Sequence, residues 1–488
     1  MSPSVEPFSE VRYKALMDGL ECSEVLQSSL ERTLRIDAEF YQKESFDVLS
    51  LIHKMQHYPL TKYVDVSDGN HMSISNSFVS NGIPYYRGQY LKSYFIENNS
   101  PICIDEKSFN QPYMWRSHLK KGDVLLSIVG TIGSLATVSS SAQATCSCKL
   151  AILRPKKIAD SDVIALFLRC KYGQNQIKKF TRGAVQMGLI LEDMEQIVIP
   201  EFQDEFKDNL KNIVATAFDQ ENIAKTIYSE AEHLLISTLC IGDFTSLKQA
   251  VSLKKFSESF ATSGRLDAEY YQAKYDELFA SLRKQITHPL SGKDGITTIQ
   301  KSIEPGSDAY CDEGIPFVRV SDVTKYKIRN PEIKLSRDIV PDATTLFPCK
   351  DTILFSKDGS VGIAYKVERD MKVITSGALL HLMVKNPDEV LPDYLTLVLN
   401  SKVVQLQAER DSSGAIIQHW KPSEIEKVLI PVLDIVTQKQ ISSKVQESFV
   451  LRQRSEELLE YAKRAVEVAI EEGEEKAMEW LKEKGVEC

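Results

Sequence analysis

Nowhere in this 488-residue chain do apolar residues run together for the length of about 18 that a membrane-spanning helix requires. The opening stretch Met1–Glu10 lacks the basic and apolar segments of a secretion signal, so the chain reads as cytoplasmic. Low-complexity tracts are missing, which leaves disorder to the chain ends. Nine cysteines occur without CxxC spacing, and the closest pair, Cys146 and Cys148, has no nearby histidine. A zinc site is therefore not indicated, and reduced, mostly buried thiols are expected. His53, His57, His233 and His381 stand apart without metal-ligand spacing. The chain has no Pro-Pro, so the Asn or Asp before Pro-Pro-aromatic of an amino-methylating enzyme is absent. Two Gly-rich turns, Gly130-Thr131-Ile132-Gly133 and Gly359-Ser360-Val361-Gly362, lack the Gly-Lys-Ser/Thr ending of a phosphate loop.

What is present is ordinary globular composition, 43% hydrophobic and 26% charged, in a chain too long for one core. The dominant feature is an octet that recurs. Arg35-Ile36-Asp37-Ala38-Glu39-Phe40-Tyr41-Gln42 returns as Arg265-Leu266-Asp267-Ala268-Glu269-Tyr270-Tyr271-Gln272, at a shift of 230. Near the same shift, Gly183-Ala184 meets Gly414-Ala415, and Ile199-Pro200 meets Ile430-Pro431. So long a period indicates a duplicated domain rather than a solenoid. Within each octet the acidic and aromatic residues alternate too closely for one face, which favours a packed, salt-bridged corner over catalysis.

Each copy continues with short β-type runs broken by turn residues. Ile83–Arg87 and Asp123–Val129 in the first copy match Ile315–Ser321 and Asp351–Ser356 in the second. A helix-compatible segment follows, over 160–181 and 391–410, then a Gly-Ala loop and an Ile-Pro strand. Each copy thus reads as one α/β domain. The next stretch is the longest periodic one. Phe206, Leu210, Ile213, Ala217, Gln220, Ala224, Ile227, Ala231, Leu234 and Thr238 form a heptad seam. A matching seam runs through Ile441, Lys444, Ser448, Leu451, Ser455, Leu458, Ala462, Ala465 and Ala469, with Val445 available to relieve the misfit at Lys444. The many small residues suit two helices packed closely together; a helix lying on its own domain is the competing reading.

Net charge is −9, yet it is unevenly spread. From Thr145 to Leu189 the only acids are Asp160 and Asp162, against Lys149, Arg154, Lys156, Lys157, Arg169, Lys171, Lys178, Lys179 and Arg182. From Glu456 to Cys488 there are eleven Glu against five basic residues. The Gly turns follow strands, where glycine permits positive φ or the close approach of another backbone. The hydroxyls of Ser127, Thr131, Ser356 and Ser360, beside Lys357, suit contacts to phosphates or bases; a plain hairpin is an equal reading. One catalytic pattern is present, Pro341-Asp342 followed by Asp370-Met371-Lys372, similar to a metal-dependent nuclease motif. It has no first-copy counterpart and arises easily by chance.

The repeated Arg-x-Asp-Ala-Glu-aromatic-Tyr, the turns Leu126–Gly133 and Phe355–Gly362, and the Ile-Pro before each long helix resemble the DNA specificity subunit of Type I restriction-modification enzymes. The resemblance covers nearly the whole chain. It departs at the end of the Gly-Ala loop, where Met187-Gly188-Leu189 differs from Trp420-Lys421-Pro422. It implies a non-catalytic chain with two pseudo-twofold-related α/β target-recognition domains separated by two long antiparallel coiled-coil helices. Each domain would read half of a split sequence in double-stranded DNA, and the helices would set the gap. Its partners would be DNA adenine methyltransferase subunits, docked on the helices, and translocating restriction subunits. S-adenosylmethionine, ATP and Mg would sit on those partners, with no cofactor in this chain. The expected layout is a lead-in over 1–34, recognition domains over 35–202 and 265–433, a central helix and connector over 203–264, and a closing helix over 434–488.

Arg and Gln can address guanine and adenine bidentately, while Lys and Ser suit phosphates. The candidate DNA-binding residues are therefore Arg87, Gln89, Lys92, Ser127, Thr131, Lys149 and Gln186 in the first domain. In the second they are Arg319, Ser321, Lys325, Ser356, Lys357, Ser360, Gln418 and His419. The runner-up functions are an interaction scaffold built on the paired helices and an autonomous nuclease.

Overall fold

The computed structural model describes residues 8–33, 35–96, 101–183, 187–242, 252–339, 343–414 and 417–486. Gln186, Ala184, Ala415 and Pro341-Asp342 lie outside the described residues. The chain divides into two compact units, Met1–Gln220 with Arg454–Cys488, and Glu221–Gln453.

The first unit holds β1 (His57–Pro59), β2 (Val64–Asp68), β3 (Phe78–Val79), β4 (Ile83–Tyr86), β5 (Cys103–Ile104), β6 (Val124–Ser127), β7 (Leu135–Thr137), β8 (Thr145–Cys146), β9 (Leu150–Pro155) and β10 (Val198–Pro200). They form sheets ordered β2-β9-β6-β7 and β3-β5-β4-β8, and the pair β1-β10. The second unit holds β11 (Thr287–Pro289), β12 (Thr297–Lys301), β13 (Tyr310–Cys311), β14 (Ile315–Val318), β15 (Lys334–Leu335), β16 (Ile353–Ser356), β17 (Ala364–Lys366), β18 (Ile374–Thr375), β19 (Leu379–Val384) and β20 (Leu429–Pro431). Its sheets are β12-β19-β16-β17 and β13-β15-β14-β18, with the pair β11-β20. Strand for strand the two orders agree, including the parallel pairs β4–β8 and β14–β18. The sequence repeat is thus a repeat of topology.

The segments expected to be single helices are each two. Ser161–Arg169 and Lys171–Phe180 are broken at Cys170, and Pro392–Asn400 and Lys402–Asp411 at Ser401. Both break residues are extended, at ψ 165°. At the second break the Ser401 side chain caps the Val403 N–H, giving the new helix a start that helical periodicity does not signal. Residues 163–168 are buried on every side, so this helix is a core element covering the main sheet rather than an amphipathic surface helix.

Both octets are the salt-bridged corners anticipated. In the second, Arg265 grips Asp267 with Nε–Oδ1 at 2.9 Å and Nη2–Oδ2 at 2.6 Å, while its guanidinium lies 4.6 Å from the Tyr270 ring centre. In the first, Arg35 Nε donates to Asp37 Oδ1 at 2.9 Å and stacks 4.4 Å from Phe40. The tyrosine hydroxyls close the corners, Tyr41 donating to the Arg35 carbonyl at 3.0 Å and Tyr271 to that of Arg265 at 2.8 Å. The arginine hydrogen bonds hold both aspartates below the usual carboxylate range.

The long helices are Asp204–Thr238 and Ile435–Glu472. Within the first unit Ser455 Oγ donates to the Ala217 carbonyl at 2.7 Å, and within the second Ser448 Oγ donates to that of Ala224, also at 2.7 Å. All four residues are buried. A serine reaching a carbonyl of a facing helix requires close backbones, which alanine opposite serine allows, and each bond fixes the antiparallel register. The first seam shifts by one residue near its end. Tyr228, Leu235 and Leu239 are buried, while Ile227 and Leu234 are half-buried and Thr238 is exposed. A straight helix drifts from a seven-residue repeat, and here the buried face turns toward the core containing Tyr275, Leu278 and Leu282. Val445 is buried in place of half-buried Lys444, whose ammonium meets Glu230 at 2.6 Å. The helices therefore pack on each other and on the α/β body of each unit, so the two readings of the seam coexist.

The charge asymmetry is partly absorbed inside the first unit. Glu467 accepts the Lys171 N–H at 3.0 Å, at the start of the helix Lys171–Phe180, where a carboxylate meets the positive helix end. Glu471 takes the Tyr172 hydroxyl at 3.0 Å and the Lys171 ammonium at 2.6 Å. The acidic closing segment packs against the basic one.

Candidate nucleic-acid interface

Strand register places Ser127, Thr131 and Lys149, and Ser356, Lys357 and Ser360, at one end of each main sheet. In the first unit Leu126 and Asp68 both pair with Ala151, so the end of β2, the turn after β6 and the start of β9 share an edge. The turn has Gly130 at φ +86° and Gly133 at φ +87°, and the Gly133 N–H donates to the Ser127 carbonyl at 3.1 Å. In the second, Gly359 has φ +73°, Gly362 φ +86°, and the Gly362 N–H donates to the Ser356 carbonyl at 2.9 Å. Left-handed backbone at two positions explains the glycines.

A second reason is proximity. Gln174 Nε2 donates to the Gly133 and Leu168 carbonyls at 3.1 and 2.7 Å, and Gln405 Nε2 donates to those of Gly362 and Leu399 at 2.7 and 3.0 Å. A Cβ on Gly133 would come within 2.6 Å of Gln174, and one on Gly362 within 2.8 Å of Gln405. This duplicated glutamine brace was not identified from the sequence, although Gln174 and Gln405 lie near the repeat shift.

The loop after the helices closes over each turn. Gly188 bridges to Val129 and Arg182, and the Leu189 N–H donates to the Ile128 carbonyl at 2.9 Å. His419 bridges to Asp358 and Ser413, and the Gly359 N–H donates to the Gln418 carbonyl at 2.9 Å. Trp420 anchors the second loop, only 1% exposed, with its ring 5.8 Å from Phe355.

The candidate side chains fall into two groups. Ser127 and Ser356 are buried and serve the turns: Ser127 Oγ donates to the Val129 carbonyl at 3.3 Å, and Ser356 Oγ donates to that of Ser360 at 2.5 Å while accepting the Ile363 N–H at 2.8 Å. Lys357 is ion-paired to Asp358, which lies 2.8 Å from His419 Nδ1. Lys325 reaches Glu232 of the first long helix at 3.2 Å and sits 4.5 Å from the Tyr228 ring centre. By contrast, Gln89, Lys92, Thr131, Lys149, Ser321, Ser360, Gln418 and His419 are exposed. Arg87, half-buried, lies 5.3 Å from the Phe78 ring and 5.6 Å from that of Tyr85. Arg319 is half-buried, its Nε 3.7 Å from Asp322. Gly88 packs so closely on the turn that a Cβ there would meet Thr131 Oγ1 at 3.1 Å and Ser127 Oγ at 3.2 Å, which joins Arg87 and Gln89 to the same edge.

Several basic residues counted in the sequence are structural. Arg154 grips Asp123 at 2.9 and 2.7 Å, Arg169 donates to the Leu135 carbonyl at 2.7 Å, and Lys179 is 6% exposed against the Phe40 ring. Burial pushes the Lys179 ammonium down to about 8. Lys149 and Lys178 remain exposed. Asp370 Oδ1 accepts the Lys350 N–H at 2.8 Å. Among the described residues no cluster of three or more His, Cys, Asp or Glu side chains suits a metal ion. No helix among them is long and apolar enough to cross a membrane.

Solved structures similar to this chain include three of Type I restriction-modification systems. One is the S subunit of a Type I restriction-modification system from M. genitalium, at 14% identity and a TM-score of 0.34, over 86% of this chain and 95% of that one. Another is the HsdS subunit from Thermoanaerobacter tengcongensis, at 14% identity and 0.29, over 86% and 97%. The third is a structure described as the basis of complex assembly and conformational transition of the type I R-M system, at 15% and 0.28, over 86% and 97%. No family model and no curated protein matches the sequence. Likeness of this degree assigns no residue a role.

Proposed function

We propose that this chain is the sequence-specific DNA-binding specificity subunit of a Type I restriction-modification complex, and not itself an enzyme. The observation that supports it best is the duplicated sheet edge: a glycine turn braced by glutamine, covered by a loop, with exposed polar side chains, built twice on one topology. Two such edges suit two half-sites of a split sequence, as repeated recognition elements do. The recognition domains are 35–202 and 265–433, joined by the central helix and connector over 203–264, with the lead-in over 1–34 and the closing helix over 434–488. Within them the exposed and half-buried candidates contact DNA: Arg87, Gln89, Lys92, Thr131 and Lys149 on one side, Arg319, Ser321, Ser360, Gln418 and His419 on the other. Gln186 belongs to the same set by sequence. Ser127, Ser356, Lys357 and Lys325 support them. DNA adenine methyltransferase subunits dock on the long helices, and translocating restriction subunits join for cleavage. S-adenosylmethionine and ATP chemistry belongs to those partners.

A genome-wide map of adenine methylation with and without the chain tests this. A two-part motif should vanish on deletion; an unchanged map overturns the proposal. Arg319→Ala should weaken discrimination in one half-site by about 1–3 kcal/mol, read from methylation rates on single-base variants, with the other half-site unaffected.

The helices act as the ruler. Between the facing pairs Ala217–Ser455 and Ala224–Ser448, seven residues added after Gln220 and seven after Leu451 keep the heptad phase. Each helix lengthens by about 10 Å, close to three base pairs at about 3.4 Å each. The unspecified gap in the methylated motif should widen accordingly. An unchanged gap in an assembled, active complex removes the ruler role.

A further inference from the structure

The edge that carries the first turn also carries a charge cluster that the fold does not require. Asp68, the last residue of β2, is 8% exposed. Its Oδ1 lies 2.6 Å from Arg116 Nη2, and its Oδ2 lies 2.6 Å from His71 Nε2. Both partners are largely exposed, Arg116 at 60% and His71 at 64% of the side chain. The surrounding loop is held rigid. Asn70 Nδ2 donates to the Met72 carbonyl at 2.8 Å, Asn70 Oδ1 accepts the Met72 N–H at 3.0 Å, and the Asn70 N–H donates to the Cys146 carbonyl at 2.8 Å. Gly69 touches the backbone of Ser147 so closely that a Cβ would lie 2.3 Å from its carbonyl oxygen.

Burying a carboxylate is costly unless it is well partnered, and an apolar or exposed polar residue would serve the strand as well. The second unit shows as much. In β12 the position that pairs with Leu380, as Asp68 pairs with Ala151, is Lys301, and it is exposed. The same sheet is therefore built without the acid. What the acid does in the first unit is pair with one Nη of a guanidinium whose side chain is 60% exposed, beside the strand end that leads to the first turn. The contact is an ion pair through one nitrogen, so the planar fork stays available to the two acceptors, O6 and N7, that guanine presents in the major groove.

We propose that Arg116 reads a guanine in the half-site bound by the first unit, with Asp68 as its positioning residue. This rests on the DNA-reading function proposed above. It adds a specificity determinant absent from the second unit at the equivalent register, so the two half-sites are read by different means.

The test uses the full chain assembled with its methyltransferase subunits, with a library of DNA duplexes randomised through the target and methylation rate as readout. Arg116→Ala should abolish the preference for one G·C pair in one half-site, a loss of about 10- to 100-fold in discrimination. Preference at every other position should persist. Arg116→Lys should fail to rescue it, because a lysine ammonium lacks the fork. Asp68→Asn should relax the same base pair while leaving binding to unrelated DNA equal or tighter. Unchanged preference in Arg116→Ala overturns the proposal, as does an Asp68→Asn variant that binds all DNA more tightly with its preference intact. His71→Ala, which leaves the Asp68–Arg116 pair in place, should keep the preference; its loss there would reassign the role to the histidine. A wild-type complex without any sequence preference would instead overturn the DNA-reading function itself.

Discussion

Trp420→Ala is expected to destabilise the second unit by about 3–5 kcal/mol, as large-to-small changes of fully buried aromatic residues do. Trp420 is 1% exposed and belongs to the core with Phe355, Leu380, Ile425 and Val428. Its backbone N–H donates to the Lys357 carbonyl at 2.8 Å, and its buried ring packs on Phe355, so the covering loop is held on the turn by both. The loss is a large fraction of the about 5–15 kcal/mol that stabilises a typical domain. In calorimetry the transition assigned to residues 221–453 should move down by many degrees, and methylation should fail at elevated temperature before it fails in the cold. A variant that melts like the parent would show that the loop is not anchored through this ring.

The second large effect concerns pH. His381 is 3% exposed in β19, and burial pushes its imidazole down to about 4. Its Nε2 lies 2.8 Å from Thr375 Oγ1. Because the unfolded chain takes up the proton near the ordinary histidine value of about 6.5, it binds more protons than the folded chain between about 4 and 6.5. Stability is therefore complete above that window and declines as pH falls through it, by about 2 kcal/mol between pH 7 and pH 5. Urea unfolding of the parent and of His381→Leu at both pH values checks this. The variant should lose the part of the slope that belongs to this residue. Strand register gives Ile152 as the first-unit counterpart of His381, so an apolar residue is compatible with the position. An identical slope in parent and variant would assign the acid sensitivity to other groups.

Features signalled by neighbours in sequence were legible before any coordinates. The duplication, the octet corners, the strands leading into glycine turns and the paired helices depend on local residue type and short-range periodicity; each is present, with the first seam displaced by one residue near its end and Val445 in place of Lys444 in the second. Local backbone preference and the side-chain repeat of helix or strand are written into a window of a few residues. The break at Ser401 is a local signal too, but its hydroxyl cap is weaker than the helical pattern on either side of it.

Other features depended on residues that meet only after folding. Ser127 and Ser356 face inward and Thr131 outward because the turn curls back on its strand, so a list of hydroxyls could not separate support from surface. Basic residues between Thr145 and Leu189 looked like one field until Asp123, Glu467 and Glu471 arrived from distant segments to pair with Arg154 and Lys171. The Gln174 and Gln405 braces, the burial of Trp420 and the Asp68–Arg116 clamp follow the same logic. Pattern along the chain determines which element forms and which face is apolar. Which charged or polar group ends up buried, paired or free is a long-range matter, because the desolvation penalty that decides it exists only once another segment has displaced the water.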